Sequence, residues 1–201
     1  MTTSDRWLAA NRETLHALLA SSYGIRGELH ALPGECDFNL RVECNGPAYL
    51  LKIMRDACDP ALVEMQWQAL ERPAERLPDL PVQRLIRTAG RDPTTILVDH
   101  AGQERLAWLV SFLPGQVLGH TRPHTPALLE QIGAALGQLD QALLNFTHPA
   151  CERQLKCDLR RAGWIQTALD NIADAARRAL VDRIGRRFVD EIGPRLERLR
   201  R

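Results

Sequence analysis

The spacing of hydrophobic residues changes along the chain. Residues 4–19 carry apolar side chains three or four positions apart, which predicts an amphipathic helix that Ser4 is suited to cap. Residues 25–54 instead alternate between apolar and polar positions, which predicts antiparallel strands, the third of them over residues 48–54. Asn45-Gly46 predicts a tight hairpin turn before that strand, because this pair tolerates positive φ angles.

Helical spacing returns in residues 60–76, where Pro60 suits a first turn. Further strands are predicted over residues 82–86, 95–99 and 105–113. The pattern beyond Pro114-Gly115 is helical. Thr125 and Pro126 predict a cap and first turn, and apolar residues follow at helical intervals as far as Phe146. Two more helices are predicted over residues 155–180 and 181–201.

These elements predict an α+β protein in two parts. Residues 1–115 form an antiparallel sheet of about five strands with one inserted helix, preceded by the N-terminal helix. Residues 116–201 form an all-helical piece. The change of period at Pro114-Gly115 is the reason for placing the boundary there.

Charge excludes some classes of partner. The 201 residues include 26 Lys and Arg against 25 Asp and Glu, so the net charge gives no reason to expect binding to nucleic acid or an anionic membrane. Residues 152–201 are more basic, and their arginines are the candidates for a nucleic-acid surface: Arg160, Arg161, Arg177, Arg178, Arg186 and Arg187. Interspersed aspartates favour a solvated helix surface instead.

No targeting or membrane segment is predicted. The N-terminus begins polar and lacks the cationic and apolar regions of a signal peptide. The longest uncharged stretch, residues 106–121, is interrupted by proline and glycine and is too short to span a bilayer. We therefore expect a cytoplasmic protein that does not bind membranes.

Lys52 is the clearest candidate for chemistry. It lies within the third predicted strand, on the face that carries Leu50 and Met54, where an ammonium group needs a partner. Glu64 is the first acidic residue inside the following helix, and kinases use an ion pair between a strand lysine and a helix glutamate to fix the lysine that holds donor phosphates. A lysine that reaches water from an edge strand and a solvated helix charge are the alternatives.

Two loops add candidate ligand contacts. The turn that contains Gly34, Asp37 and Asn39 would let backbone N–H groups approach a phosphate, although an ordinary hairpin turn has the same composition. The segment from Ser111 to Leu113 leaves the β-rich part as a hinge would, and its backbone would hydrogen-bond a purine. A buried strand that ends in a turn is the alternative for this segment.

The order of these motifs resembles the aminoglycoside phosphotransferase and choline kinase group of small-molecule kinases, in its hydroxylysine kinase-like branch. The matching segments of the sheet-rich part are residues 32–42, 49–53, 64–70 and 111–115. Those of the helical part are residues 132–140, 146–149 and 157–162, where the last motif of the branch usually opens with Trp rather than Cys157.

The resemblance implies a protein-kinase-like N-terminal lobe followed by the first helices of an incomplete C-terminal lobe. It implies transfer of the γ-phosphate of ATP or GTP, with Mg²⁺, to a hydroxyl of an amino acid or amino alcohol such as hydroxylysine or an aminoglycoside. The nucleotide-binding residues that it implies are Gly34, Asp37, Asn39, Lys52, Glu64, Ser111, Phe112 and Leu113.

The family's catalytic His-x-Asp loop and its metal-binding Asp have no match in the sequence. Asp140 and Asn145 have suitable spacing, but they lie in a regular helical stripe and lack the preceding histidine. We therefore expect a truncated or split kinase that binds purine nucleotide but is inactive alone, with a second chain or a second copy covering the incomplete lobe. A nucleotide-binding pseudokinase or scaffold is the alternative.

Overall fold

A computed structural model describes residues 2–34, 37–55, 59–152, 158–196 and 198 of the chain. The chain divides into two compact units, Met1–Ala150 and Cys151–Arg201. The division predicted at residue 115 separates a sheet-rich lobe from a helical one, and it remains a prediction.

The first helix, α1 (Thr3–Leu18), begins at a reciprocal cap. Thr2 Oγ1 accepts a hydrogen bond of 3.1 Å from the Asp5 N–H, and the Asp5 carboxylate accepts one of 2.7 Å from the Thr2 N–H. The predicted cap at Ser4 is wrong, because Thr2 has an acidic residue three positions later, as a capping box requires. The predicted stripe is buried and comprises Leu8, Asn11, Leu15, Leu18 and Leu19.

Six strands form one antiparallel sheet, which agrees with the six strand segments predicted along the sequence. They are β1 (Glu28–Leu32), β2 (Asp37–Glu43), β3 (Ala48–Met54), β4 (Leu85–Ile86), β5 (Thr95–Val98) and β6 (Glu104–Ser111). Their order is β1-β2-β3-β6-β4, and β5 also pairs with β6. The hairpin between β2 and β3 is confirmed, with Gly46 at a φ of 129°.

The two faces of the sheet bury different helices. Leu51 and Ile53 of β3 belong to the hydrophobic core that includes α1. The intervening positions of β3 face the other way, because side chains alternate along a strand. On that second face, Val63 of α2 (Pro60–Arg76) packs with Trp108 and Val110 of β6. Lys52 therefore lies on the face that α2 covers.

Helix α3 (Pro126–Leu143) begins where the sequence predicts. Thr125 Oγ1 accepts a 3.2 Å hydrogen bond from the Leu128 N–H. The apolar stripe of this helix is covered only in part: Leu129 is 53% exposed and Leu136 is 57% exposed, whereas Ile132, Leu139 and Leu143 are half-buried. Among the residues of α3, Ala142 alone is buried.

The second unit consists of short helices, so the predicted long helix over residues 155–180 is wrong. The first residues of that predicted helix, 155–157, lie outside the described residues. The helices are α4 (Trp164–Thr167), α5 (Ala175–Arg187) and α6 (Gly193–Leu196). The backbone is extended at Ile172, and Asp174 Oδ1 accepts a 2.7 Å hydrogen bond from the Arg177 N–H. This side-chain cap starts a new helix rather than continuing the previous one.

In the described ranges, no helix combines the length and the apolar character that crossing a bilayer requires.

Candidate functional site

Lys52 is the centre of a polar group on the face of the sheet that α2 covers. Its Nζ lies 3.4 Å from Asp37 Oδ2 and donates a 3.3 Å hydrogen bond to Asn39 Oδ1. The ammonium also lies 5.7 Å from the centroid of the Trp108 ring, which is within the range of a cation–π contact. The Lys52 side chain is 19% exposed and that of Asp37 is 13% exposed. The group is therefore enclosed but open to solvent on one side.

The pairing of three neighbouring strands explains this arrangement. Asn39 of β2 and Trp108 of β6 lie directly opposite Lys52, one on each side of β3. Side chains in such positions share a face and lie within about 5 Å of each other. Asp37 precedes Asn39 by two residues and so belongs to the same face. Sheet register thus places both oxygen acceptors beside Lys52.

Gly34 lies in the turn that precedes β2 and approaches Asp37 and Asn39 closely. A methyl group at Gly34 would lie 2.5 Å from Asn39 Nδ2 and 2.5 Å from the Asp37 carbonyl oxygen, so the turn has no room for a side chain. Arg55 Nη2 donates a 3.4 Å hydrogen bond to the Gly34 carbonyl. The predicted contact of this turn with phosphate remains a prediction, and residues 35–36 lie outside the described residues.

The predicted ion pair between Lys52 and Glu64 is not formed. Glu64 is exposed, and its Oε1 accepts a 3.0 Å hydrogen bond from Gln68 Nε2. Its Oε2 lies 3.9 Å from His148 Nε2. His148 Nδ1 accepts a hydrogen bond from the Ala150 N–H, so in the neutral ring the proton is on Nε2, which faces Glu64.

The orientation of α2 explains the missing ion pair. Val63 and Trp67 belong to the cluster that packs on the sheet, and Val63 is fully buried. Glu64 follows Val63 directly and is turned away from the sheet, because neighbouring helix positions point about 100° apart. Asp37 supplies a carboxylate to Lys52 from the adjacent strand instead.

The first two residues of the predicted hinge are still hydrogen-bonded to the sheet-rich part of the chain. The N–H of Ser111 donates to the Arg84 carbonyl at 2.8 Å, and that of Phe112 donates to the Ala48 carbonyl at 3.0 Å. The N–H of Leu113 makes no hydrogen bond to any residue that the structure describes, and Leu113 is exposed. Leu113 is therefore the residue of the predicted hinge whose N–H is left without a partner among the described residues.

The hinge and Lys52 share one sheet. Ser111 pairs with Tyr49, three residues before Lys52, which corresponds to about 10 Å along β3. Leu50 and Val110 lie opposite each other between these two points, on the same face as Lys52. The face thus carries an ammonium group at one end, apolar side chains in the middle and the hinge at the other end.

Relatives of known function share this architecture. No family model matches the chain. The hydroxylysine kinase of Mus musculus is 25% identical over 202 residues, which cover 92% of this chain and 53% of that protein. Among solved structures, an amicoumacin kinase in complex with AMP-PNP, Ca²⁺ and Ami aligns with 100% of this chain and 57% of its own, at a TM-score of 0.64 and 15% identity.

Two other solved phosphotransferases have the same fold. A microcompartment-associated aminopropanol kinase covers 75% of this chain and 46% of its own, at a TM-score of 0.54 and 16% identity. Spectinomycin phosphotransferase, in complex with ADP and spectinomycin, covers 88% of this chain and 53% of its own, at a TM-score of 0.52 and 15% identity. The chain is thus similar in sequence to a hydroxylysine kinase and in fold to small-molecule phosphotransferases. It spans about half the length of the relatives that it matches.

Lys52 is of the residue type that binds phosphate. Asp37 and Asn39 offer side-chain oxygens of the kind that Mg²⁺ binds, but among the described residues no cluster of three His, Cys, Asp or Glu side chains lies beside Lys52. Within those residues, the one cluster of three potential metal ligands is Glu28, His30 and Glu43. Glu43 ends β2 at the opposite end from Asp37, and Arg41 pairs with it.

Two residues on this face of the sheet were not predicted from the sequence. Trp108 is buried beneath Lys52, and the Arg41 guanidinium lies 4.7 Å from the centroid of the Phe112 ring. Arg41 is two residues after Asn39 on β2. The alternation of side chains along the strand would therefore have placed Arg41 on the same face as Asn39. Trp108 depends on the pairing of β3 with β6, which is distant in sequence.

Proposed function

We propose that this chain is the nucleotide-binding part of a small-molecule phosphotransferase and that it binds ATP or GTP. The position of Lys52 is the main observation: its ammonium lies on the middle of the sheet, on the same face as the hinge. A strand lysine is the group that contacts donor phosphates in kinases. Leu50, which is half-buried, offers an apolar surface to a purine, and the Leu113 N–H offers a hydrogen bond.

For the whole protein, we propose transfer of the γ-phosphoryl group to a hydroxyl of an amino acid or amino alcohol, such as hydroxylysine or an aminoglycoside. The names of the relatives, a hydroxylysine kinase, an aminopropanol kinase and a spectinomycin phosphotransferase, support this acceptor class. The acceptor oxygen would form a bond to the γ-phosphorus, and the bond between the γ-phosphorus and the oxygen that bridges it to the β-phosphate would break. The proton of the acceptor hydroxyl would pass to a base.

The 201-residue chain offers no His-x-Asp sequence for that base. A positioned base contributes about 10²–10⁴-fold in rate. We therefore propose that the chain alone binds nucleotide without useful turnover, and that a second chain or a second copy covers the exposed leucines of α3.

Binding of MgATP and MgGTP to Lys52→Ala and to the wild type tests this proposal by isothermal titration calorimetry. We expect Lys52→Ala to weaken binding about tenfold or more, since a charged hydrogen bond contributes about 1.5–3 kcal/mol. Arg12→Ala removes one positive charge from an exposed position on α1, and it should bind like the wild type. Absence of binding by the wild type, or equal binding by Lys52→Ala, would contradict the proposal.

A nucleotide-binding pseudokinase or scaffold is the second candidate, and the lack of a His-x-Asp sequence favours it. Both candidates predict nucleotide binding without turnover by the chain alone, so release of ADP from ATP is measured with hydroxylysine or an aminoglycoside and with an added second chain that carries a His-x-Asp loop. ADP release that requires both the acceptor and the second chain supports the transferase. Nucleotide binding without acceptor-dependent ADP release under these conditions supports the pseudokinase.

A further inference from the structure

Asp37 is the charged partner of Lys52, and one of its two carboxylate oxygens is not satisfied. Oδ2 lies 3.4 Å from Lys52 Nζ. Oδ1 is buried and has no hydrogen-bond partner among the described residues. Leaving a buried acceptor unpaired is costly, so the contact with Lys52 is the main interaction that stabilises the Asp37 charge in this enclosed position.

Asp37 lies beside the position that a phosphate bound to Lys52 would take. An ammonium group has three N–H donors, and Asp37 and Asn39 already provide two acceptors for that of Lys52. A phosphate oxygen is an anionic acceptor of the same kind as the Asp37 carboxylate. A nucleotide phosphate bound to Lys52 would therefore lie within a few ångströms of a second negative charge, which repels it.

The Asp37 backbone cannot retreat from this position. Asp37 opens β2 and pairs with Met54 across the hairpin, and its carbonyl packs against Gly34. Lys52 is the more adaptable partner, because its charge is carried on a flexible four-carbon stem. Asn39 is a neutral acceptor and does not repel a phosphate.

We propose that Asp37 competes with nucleotide phosphates for Lys52: its carboxylate holds the ammonium in the nucleotide-free chain and opposes binding. This inference rests on the proposed function, in which Lys52 contacts donor phosphates. It gives Asp37 a role opposite to that predicted from the sequence, which grouped Asp37 with the residues that favour nucleotide binding. Nucleotide binding then requires Lys52 to exchange one anionic partner for another.

Asp37→Asn tests the inference, because the amide keeps an oxygen acceptor and the shape of the side chain while removing the charge. We expect Asp37→Asn to tighten MgATP binding by about threefold to tenfold, as relief of a like-charge contact in a partly solvated site predicts. Glu104→Gln removes the same charge from an exposed position at the start of β6 and should leave affinity within about twofold of the wild type. Lys52→Ala, measured in parallel, reports on the proposed function itself.

The outcomes separate the two claims. If Lys52→Ala weakens binding while a folded Asp37→Asn binds MgATP no more tightly than the wild type, the inference is overturned and the proposed function stands. If Glu104→Gln gains as much affinity as Asp37→Asn, net charge explains the effect and the inference also fails. If none of the proteins binds MgATP, both claims fail. Should Asp37→Asn not fold, as judged by thermal denaturation, Asp37→Ser takes its place with the same expected direction.

Discussion

At the scale of single residues, Asp99 shows how neighbours within the sheet and its turns can satisfy a buried charge. Its side chain is 1% exposed. Its Oδ2 accepts a 2.6 Å hydrogen bond from Arg105 Nε, and its Oδ1 accepts from the N–H groups of Ala101 and Gln103. Burial raises the pKa of Asp99, but these hydrogen bonds together outweigh burial and hold the pKa below its usual range.

We expect Asp99→Asn to lower the free energy of unfolding at pH 7 by about 3 kcal/mol, because Arg105 loses its buried partner. The folded pKa is depressed, so the advantage of the wild type is fully present above the unfolded pKa of about 3.9 and is lost as the pH falls through the folded value. Urea denaturation at pH 7 and at pH 3 measures this. A difference between the proteins that does not shrink at pH 3 would show that the charge of Asp99 is not responsible.

The site also shows which residue contacts can be predicted. Asn39 lies opposite Lys52 because Asn45-Gly46 sets the register of the hairpin, and a short hairpin has a register that the turn determines. The partner of Glu64 was not predictable in the same way. It depends on the rotation of α2 about its axis, which is set by Val63 and the other residues packed on the sheet.

At the scale of elements, the strongest periodic patterns were the most informative. Strand β3 and helix α2 have the predicted bounds, because alternation and Pro60 mark their limits in the sequence. The second unit was predicted poorly, since its apolar residues are compatible with one long helix or several short ones. Local capping by Asp174 decided between these possibilities.

Helix α3 carries two exposed leucines on its apolar stripe. Leu129 and Leu136 are more than half exposed, and a contiguous exposed apolar face usually marks an interaction site. We expect the isolated chain to self-associate, so that its weight-average sedimentation coefficient rises with concentration. The double substitution Leu129→Gln and Leu136→Gln should abolish that rise, whereas Ile96→Gln, at an exposed position on β5, should not. A wild type that stays monomeric at all concentrations would contradict this expectation.

At the scale of the whole molecule, the fold is that of a kinase-like sheet and helices, and the chain spans about half of its relatives. The proposed nucleotide surface is contained in the first unit, because Lys52, Leu50 and Leu113 all lie there. The order of motifs along the sequence was sufficient to predict this architecture. Contacts such as the pairing of Lys52 with Asp37 required the three-dimensional structure.

Protection of Lys52 by nucleotide tests the central claim most directly. Lysine occurs at two positions in the sequence, 52 and 156, so brief acylation followed by peptide mass spectrometry measures Lys52 against an internal reference. The account predicts that saturating MgATP slows acylation of Lys52 relative to Lys156, and that adenosine, which lacks phosphates, does not. Equal acylation of Lys52 with and without MgATP, or equal protection by adenosine, would contradict the claim that Lys52 holds donor phosphates.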